Sequence, residues 1–413
     1  MRTKAANYCV GLTLCCLLFS CDSENSVRES PSRAPTFDRD TSIQLDTEQA
    51  NQVAAINNTY LQQIDADLIA VETALSLLNN QIEEFLQSPD EARLQAARQA
   101  WIEANVAYEL TAIHRYFADT ITGENLALRL FQIDYQLNHW PILPGYIDYV
   151  ANYPNSGMVN DMTVAIEPDN LRAQHGVFDA NEAAIGFHVI EFMLWGENST
   201  EGLLRPASDY EPEFDLSAEQ AEDGLSIADL SNNRRREFLR VISASLQSDF
   251  SSLMSLWQES STSYRNQTNQ IPAEQLLFDL LEGMTRMLSE EILAGSLYLM
   301  LNGDFVQSRP SLFSDTSQHA VSAQLSGLER LLLETGPDNT TNLDSLLSQL
   351  SSDYGEFFLQ NFDTSKECLV VVYSVDTSAA SAAETEFKVV ECINSLTNML
   401  DYLQRIKLSA PQV

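Results

Sequence analysis

His188 and Glu191, two residue types that bind metal ions, lie three positions apart within the apolar stretch from Gly186 to Gly196. On a helix this spacing places both residues on one face, so the imidazole and the carboxylate would lie side by side. The apolar neighbours predict a buried helix, and a buried ionised carboxylate needs a partner or a metal. Paired His and Glu side chains hold iron or manganese inside helical bundles. Taken alone, however, the pair favours a structural hydrogen bond in the core.

The chain around this pair is predicted to be helical because its apolar residues recur every three or four positions. The first such stripe runs from Val53 to Phe85 and predicts one long amphipathic helix. A second helix is predicted to start with Ser88 as N-cap, Pro89 in the first turn and Glu91 completing a capping box. Further helices are predicted over residues 183–195, 233–260, 272–301, 318–334, 342–358 and 380–406.

Two segments interrupt this helical pattern. Residues 200–229 contain two prolines and many acidic residues, which predicts mainly a linker. The β-branched run 368–375 is compatible with an extended segment or with a buried helical turn. Since no other segment alternates convincingly with period two, the predicted fold is all-α. We expect two packed helical bundles, the first over residues 47–212 and the second over residues 213–413.

The N-terminus has the features of an export signal. A basic start is followed by an apolar run that is too short to span a bilayer, and Leu18-Phe19-Ser20-Cys21 resembles the bacterial lipobox. We therefore expect residues 1–20 to be a lipoprotein signal peptide, Cys21 to be lipidated and residues 21–46 to form a flexible tether. This predicts a membrane-anchored protein of the bacterial cell envelope that faces the periplasm. The alternatives are an ordinary signal peptide or an uncleaved anchor, and the choice between inner and outer membrane stays open.

Charge and cysteine content narrow the classes of partner. The chain has 59 acidic and 23 basic residues, a formal net charge of −36, which excludes nucleic acid as a partner and favours cations, or simply keeps the protein soluble. Phosphate loops and dinucleotide-binding fingerprints are absent from the sequence.

Outside the predicted signal and Cys21, only the cysteines Cys368 and Cys392 remain. They form either a disulfide in an oxidising compartment or two buried thiols.

Several motifs, in order along the chain, resemble those of the imelysin-like family. The stretch from Gly186 to Gly196 is similar to the family signature Gly-x-His-x-x-Glu followed by an apolar run that ends in Trp-Gly. The resemblance covers about residues 47–405, and several linked motifs are more specific than any one alone. The other matching segments are Ala100-Trp101 with Tyr108, Trp140-Pro141 with residues 146–150, Arg205-Pro206 with Asp209-Tyr210, and residues 311–315.

The resemblance implies two helical bundles with a site where they meet, in an exported protein linked to iron acquisition. It implies that His188 and Glu191 bind a divalent metal ion, with iron favoured, although these ligand types suit iron, manganese and zinc alike. Iron-uptake proteins would then be the partners. The candidates for the wall of the site are Gly186, Trp195, Trp140, Arg205, Asp209 and Asp315.

The chain also departs from the family pattern, which indicates a divergent member. Asn105 and Ala112 stand where the family commonly has an Arg and a Glu, and Arg309-Pro310 stands in place of Glu-His. Thr316-Ser317-Gln318 replaces Asn-Thr-His. Two other functions therefore remain open. One is a metallopeptidase, which the family label suggests, but the sequence has no His-Glu-x-x-His motif. The other is a structural or ligand-capturing envelope protein without a metal.

Overall fold

The computed structural model describes residues 43–121, 124–197, 204–258, 264–336, 341–351, 354–374 and 382–408. The predicted signal peptide, Cys21 and almost all of the predicted tether lie outside the described residues. None of the described helices is both long and apolar enough to cross a membrane.

The described part of the chain is helical and contains no β-strand, which confirms the all-α prediction. Two short 3₁₀ helices, Ala207–Tyr210 and Ile227–Asp229, flank α8, and a π-helical segment, Met287–Leu297, joins α11 to α12. The α-helices are α1 Thr47–Gln87, α2 Glu91–Leu110, α3 Ala112–Ile121, α4 Glu124–Asn138, α5 Pro144–Ile147, α6 Pro168–Gln174, α7 Phe187–Trp195, α8 Ala218–Glu222, α9 Ser231–Gln258, α10 Tyr264–Thr268, α11 Ala273–Arg286, α12 Tyr298–Leu301, α13 Ser317–Leu333, α14 Leu343–Leu350, α15 Tyr354–Ser374 and α16 Ala382–Leu408.

Helix α1 follows its predicted apolar stripe, which packs against α2 and α9. Its N-terminus carries a capping box, in which the Asp46 side chain accepts a hydrogen bond from the Gln49 amide at 2.8 Å. The predicted cap of α2 is wrong by two residues. Asp90, not Ser88, caps this helix, and it accepts from the Arg93 amide at 2.8 Å. Ser88 instead ends α1, because its amide donates to backbone carbonyls of the last turn of that helix.

Two other element predictions need correction, and one open choice is decided. The helix predicted over 183–195 begins only at Phe187, since Gly186 has a φ of 106° that no α-helix accommodates. The helix predicted over 342–358 is instead two helices, α14 and α15. Of the two alternatives left open for the β-branched run, the helical one is observed, because residues 368–374 continue α15.

A disulfide joins the last two helices. Cys368 on α15 and Cys392 on α16 are bonded, with an S–S distance of 2.08 Å, so the disulfide alternative is the one observed. Both cysteines are buried between helices that pack along much of their length.

The described residues from Ile43 onward belong to one compact unit. Helix α9 lies after the predicted bundle boundary at residue 212, yet it packs against α1 and α4, which lie before it. Helices on both sides of this boundary therefore share one core. The division into bundles 47–212 and 213–413 stays a prediction.

Candidate functional site

Helix α7 is the buried element that carries the His188–Glu191 pair. All nine of its residues are buried, as its apolar composition predicts. Gly186 precedes it at a close backbone approach, where an added Cβ would lie 2.7 Å from the Gln136 carbonyl oxygen. At its other end, the guanidinium of Arg98 donates to the Leu194 carbonyl at 2.8 and 3.0 Å. These contacts fix both ends of the helix.

The imidazole and the carboxylate are in direct contact. His188 Nδ1 lies 2.9 Å from Glu191 Oε2, and the two side chains are 1% and 0% exposed. Glu191 Oε1 accepts two hydrogen bonds from Ser314, from its amide and from its hydroxyl, both at 2.7 Å. Glu191 is therefore satisfied at both oxygens. The other imidazole nitrogen, His188 Nε2, is buried and has no hydrogen-bond partner among the described residues.

Aromatic rings enclose the imidazole. The Trp140 ring lies 4.9 Å and the Trp101 ring 6.3 Å from the His188 ring, measured between centroids. Trp140 also packs on Phe313 at 5.8 Å, and its indole nitrogen donates to the carbonyl of Gln307 at 3.1 Å. Trp140 therefore lies against the His188 imidazole.

The turn that reaches Glu191 has an uncommon backbone. Ser311 and Asp315 both adopt positive φ, at 65° and 58°, a region that residues other than glycine seldom occupy. These two residues flank Ser314, whose hydroxyl also contacts the Thr316 hydroxyl at 2.7 Å. The Asp315 side chain is exposed, so this candidate contributes its backbone conformation and not a carboxylate wall. Ser314, which was not a candidate, is the residue that binds Glu191.

Arg205 and Asp209 belong to a separate buried ion cluster. Arg205 forms an ion pair with Asp148, which also binds Arg235, and Tyr149 donates to Asp209 at 2.5 Å. Although burial opposes it, the charges of Arg205 and Arg235 hold the pKa of Asp148 below its usual value. The segment predicted as a linker thus contributes a residue that is only 2% exposed, Arg205.

Neither Arg205 nor Asp209 forms a polar contact with His188 or Glu191. The guanidinium of Arg205 lies over the Phe192 ring, 5.3 Å from its centroid, so an aromatic side chain separates the cluster from the pair. Trp195 lies two turns along α7 from His188 and packs on Trp101 at 5.4 Å. The structure therefore places Trp195 and Arg205 in the supporting core and Asp209 at a half-buried position, and none of the three lies at the imidazole.

Comparison with protein families agrees with this geometry. The family model for imelysin, designated peptidase M75, matches residues 66–403. The chain belongs to the imelysin family. A comparison with curated proteins finds no match.

A solved structure shares the fold. A crystal structure from Parabacteroides distasonis ATCC 8503, named for an iron-regulated protein A precursor, has 14% sequence identity and a TM-score of 0.58. That alignment covers 87% of this chain and 95% of the other. An imelysin-like protein from Psychrobacter arcticum 273-4 also has 14% identity, with a TM-score of 0.47, covering 87% of this chain and 94% of that one.

Three of the positions that depart from the imelysin pattern, Asn105, Ala112 and Arg309, are buried. Asn105 is 1% exposed, and its Oδ1 accepts from the Ser311 hydroxyl at 3.4 Å. Its Nδ2 has no hydrogen-bond partner among the described residues. Arg309 is 8% exposed and donates to the Val372 carbonyl at 3.4 Å, and Ala112 is fully buried. Gln318 is partly exposed at the start of α13.

The donor set fits a metal ion only in part. The described residues contain no group of three or more His, Cys, Asp or Glu side chains arranged to hold one. His188 fits as a ligand through its unpartnered Nε2, since Nδ1–H can donate to Glu191. A carboxylate that accepts from the far nitrogen of a ligating imidazole is the usual orienting partner in metal sites. The sequence suggested that Glu191 binds the metal directly. The geometry instead suits Glu191 to orienting His188.

Proposed function

We propose that this imelysin-family protein binds a divalent metal ion, iron by preference, at His188 and serves iron acquisition in the bacterial cell envelope. The observation that carries the proposal is the buried His188 Nε2, which has no partner while Nδ1 is held by Glu191. A neutral imidazole held in this way presents its lone pair to an acceptor of electrons such as a metal ion. The name of the Parabacteroides structure, an iron-regulated protein, supports iron.

Three groups of this chain would prepare the site. His188 supplies the nitrogen ligand, Glu191 fixes its tautomer and orientation, and Ser314 holds Glu191 in place. The bound metal would supply a positive centre for oxygen ligands, and the surrounding aromatic rings exclude bulk water. With one protein nitrogen identified, the remaining ligands would come from small molecules, from water or from a partner protein.

The proposal includes the location of the protein. The lipobox-like sequence at Cys21 supports a lipid anchor, and the disulfide between Cys368 and Cys392 supports folding in an oxidising compartment. A bacterial envelope protein that faces the periplasm meets both conditions.

Calorimetric titration of the full chain, purified in mild detergent, with Fe²⁺, Mn²⁺ and Zn²⁺ tests metal binding. We expect saturable binding that disappears in His188→Ala. His319→Ala provides the matched control, because His319 is exposed and outside the site. Binding that is unchanged in His188→Ala, or absent from the wild type, would refute the proposal and leave a metal-free envelope protein.

A peptidase remains the second candidate because the matching family model carries that designation. Glu191 is the carboxylate nearest the imidazole, so it would have to act as the general base. Its oxygens, however, are already engaged by His188 and Ser314. Cleavage of a denatured protein substrate by the pure protein, lost in Glu191→Ala, would favour this function over simple binding.

A further inference from the structure

Two tryptophan rings pack against the His188 imidazole, and the protein holds them in different ways. Trp101 is fully buried on α2, and its indole nitrogen donates to the Phe187 carbonyl at 2.8 Å. Trp140 lies closer, with 4.9 Å between its ring centroid and that of the imidazole, and it is only partly buried. Of the two rings, Trp140 is therefore the one that also meets solvent.

The backbone at Trp140 belongs to no helix. Helix α4 ends at Asn138 and α5 begins at Pro144, so Trp140 lies in the connection between them. Trp101, by contrast, lies midway along α2, where the backbone hydrogen bonds of the helix fix its position. Connecting segments open locally at a lower free energy than helices that are packed in the core. Trp140 is therefore the more readily displaced of the two rings.

A surface turn holds the Trp140 indole in place. The indole nitrogen donates to the carbonyls of Val306 and Gln307, at 3.2 and 3.1 Å. Because an indole has a single N–H, these contacts form one shared hydrogen bond. Val306 is 56% exposed, so water can replace this bond when the ring moves. The turn itself is anchored at Ser308, which is fully buried and whose carbonyl accepts from the Ser296 hydroxyl at 3.0 Å.

The imidazole behind Trp140 carries a polar atom that the protein leaves without a partner. His188 Nε2 is buried and has no hydrogen-bond partner among the described residues. Since His188 is only 1% exposed, a group from outside the protein reaches this nitrogen only when a neighbouring side chain moves. Trp140 meets the conditions for that movement, because it is partly exposed, lies outside the helices and is held by a bond that water can replace.

We propose that Trp140 is a gate over His188. Its indole covers the imidazole while it is bound to the turn at Val306 and Gln307, and it swings outward to admit ions and small neutral molecules. The anchored turn stays in place and acts as the latch. This inference goes beyond the proposed function, because it concerns access to His188 and holds whether or not a metal ion binds there.

Chemical modification of the full chain, in mild detergent, with diethyl pyrocarbonate tests the gate. This small reagent acylates neutral imidazole nitrogens, and mass spectrometry of peptides follows each histidine separately. His319 is exposed and should react fastest. His114 is buried with both ring nitrogens in hydrogen bonds, so it should react only when the protein unfolds. His188 should react at a rate between these two, since its modification requires only that Trp140 moves.

Trp140→Phe keeps an aromatic ring over the imidazole but removes the N–H that reaches the turn. It should raise the rate of modification at His188 about fivefold, because one neutral hydrogen bond no longer favours the closed form. The rate at His114 should not change. Trp257→Phe is the matched control, because it removes an indole that donates to Asp65 at 2.7 Å, and it should leave the rate at His188 unchanged.

A second measurement needs no variant and therefore covers the case in which Trp140→Phe does not fold. Wild-type protein is modified at several urea concentrations below the unfolding transition. Movement of one side chain exposes little surface, so the rate at His188 should hardly depend on urea, whereas the rate at His114 should rise steeply.

Two results would overturn the gate. One is a rate at His188 that is the same in Trp140→Phe as in the wild type. The other is an equally steep urea dependence at His188 and His114, because His188 would then become accessible only through unfolding. Neither result bears on metal binding, which the calorimetric titration decides separately.

Discussion

Within the described part of the chain, two pairs of a histidine and a carboxylate are buried, and they differ in how many of their polar atoms have a hydrogen-bond partner. His114 Nε2 lies 2.9 Å from Asp67, and its Nδ1 lies 2.9 Å from the Tyr60 hydroxyl. Asp67 is also paired with Arg330, at 2.5 Å. His188 makes the same 2.9 Å contact with Glu191, but its second nitrogen has no partner among the described residues, and Glu191 is held by neutral Ser314 groups.

This difference separates the structural pair from the proposed binding pair, although each combines an imidazole with a carboxylate. In the first pair both ring nitrogens are used and a guanidinium balances the carboxylate, so the network is complete within the protein. In the second pair, His188 Nε2 has no hydrogen-bond partner and Glu191 has no guanidinium beside it among the described residues. Burial does not distinguish them, since His114 is 3% and His188 1% exposed. Residue type alone does not separate these two interpretations of His188.

The largest expected effect on stability comes from breaking the complete pair. His114→Ala should lower the free energy of unfolding by about 3 kcal/mol, because it removes two buried hydrogen bonds and opens a cavity. His188→Ala removes one such bond, so it should cost about 1 kcal/mol less. Urea unfolding of both variants without metal measures the difference. A larger loss in His188→Ala would reverse the comparison.

The incomplete pair should be sensitive to its supporting serine. Ser314→Ala removes one of the two hydrogen bonds to Glu191 and loosens the orientation of His188, so we expect metal affinity to fall about tenfold. Titration with Zn²⁺ measures the change. Ser326→Ala removes a hydroxyl that donates to the Ser322 carbonyl on the same helix, α13, and should leave the affinity unchanged. Equal affinities in the two variants would show that Ser314 does not position the site.

The complete pair should also make stability depend on pH. Burial lowers the pKa of His114 below its usual value, against the opposing hydrogen bond and charge of Asp67. The unfolded chain then binds a proton that the folded protein resists, so this part of the stability is present above about pH 6.5 and is lost as the pH falls further. Unfolding measured between about pH 7.5 and pH 5.5 should show a smaller loss in His114→Gln than in the wild type. Equal losses would contradict the depressed pKa.

The smallest effect is expected when the structural pair is made to resemble the binding pair. Tyr60→Phe removes the hydroxyl that contacts His114 Nδ1, at a cost of about 1 kcal/mol in unfolding free energy. The freed nitrogen should gain no affinity for metal, because Arg330 already balances Asp67. Unfolding and Zn²⁺ titration in the His188→Ala background check both points. Saturable binding there would show that one open imidazole nitrogen is sufficient.

Local sequence patterns predicted helices well where the apolar residues form a clear pattern along the segment. The stripe of α1 and the buried character of α7 follow directly from residue spacing and composition. The start of α2 was misassigned because Ser88 and Asp90 are both good N-caps, and only the observed hydrogen bond to Arg93 separates them. The prolines and acidic residues near Arg205 predicted a linker. Arg205 is nevertheless buried, and it forms an ion pair with Asp148.

The candidate site was predictable only as far as its local motif. His188 and Glu191 share one helix, so their spacing shows their contact. Ser314 lies 123 positions from Glu191, and it reaches Glu191 through a turn with two left-handed residues, Ser311 and Asp315. Nothing in the local sequence signals that turn, although the family resemblance singled out its segment. Asn105 was noted as a departure, but its unpartnered amide depends on tertiary packing.

The disulfide between Cys368 and Cys392 also changes how the chain responds to proteolysis. It closes a covalent ring that contains the end of α15, the beginning of α16 and the residues between them. A single peptide-bond cleavage anywhere inside this ring leaves the two fragments covalently joined. The nicked protein would keep the mass of the intact chain on a non-reducing gel, apart from one added water, and would separate into two pieces only after reduction. Helix α16 therefore stays attached to the rest of the protein after such a cut.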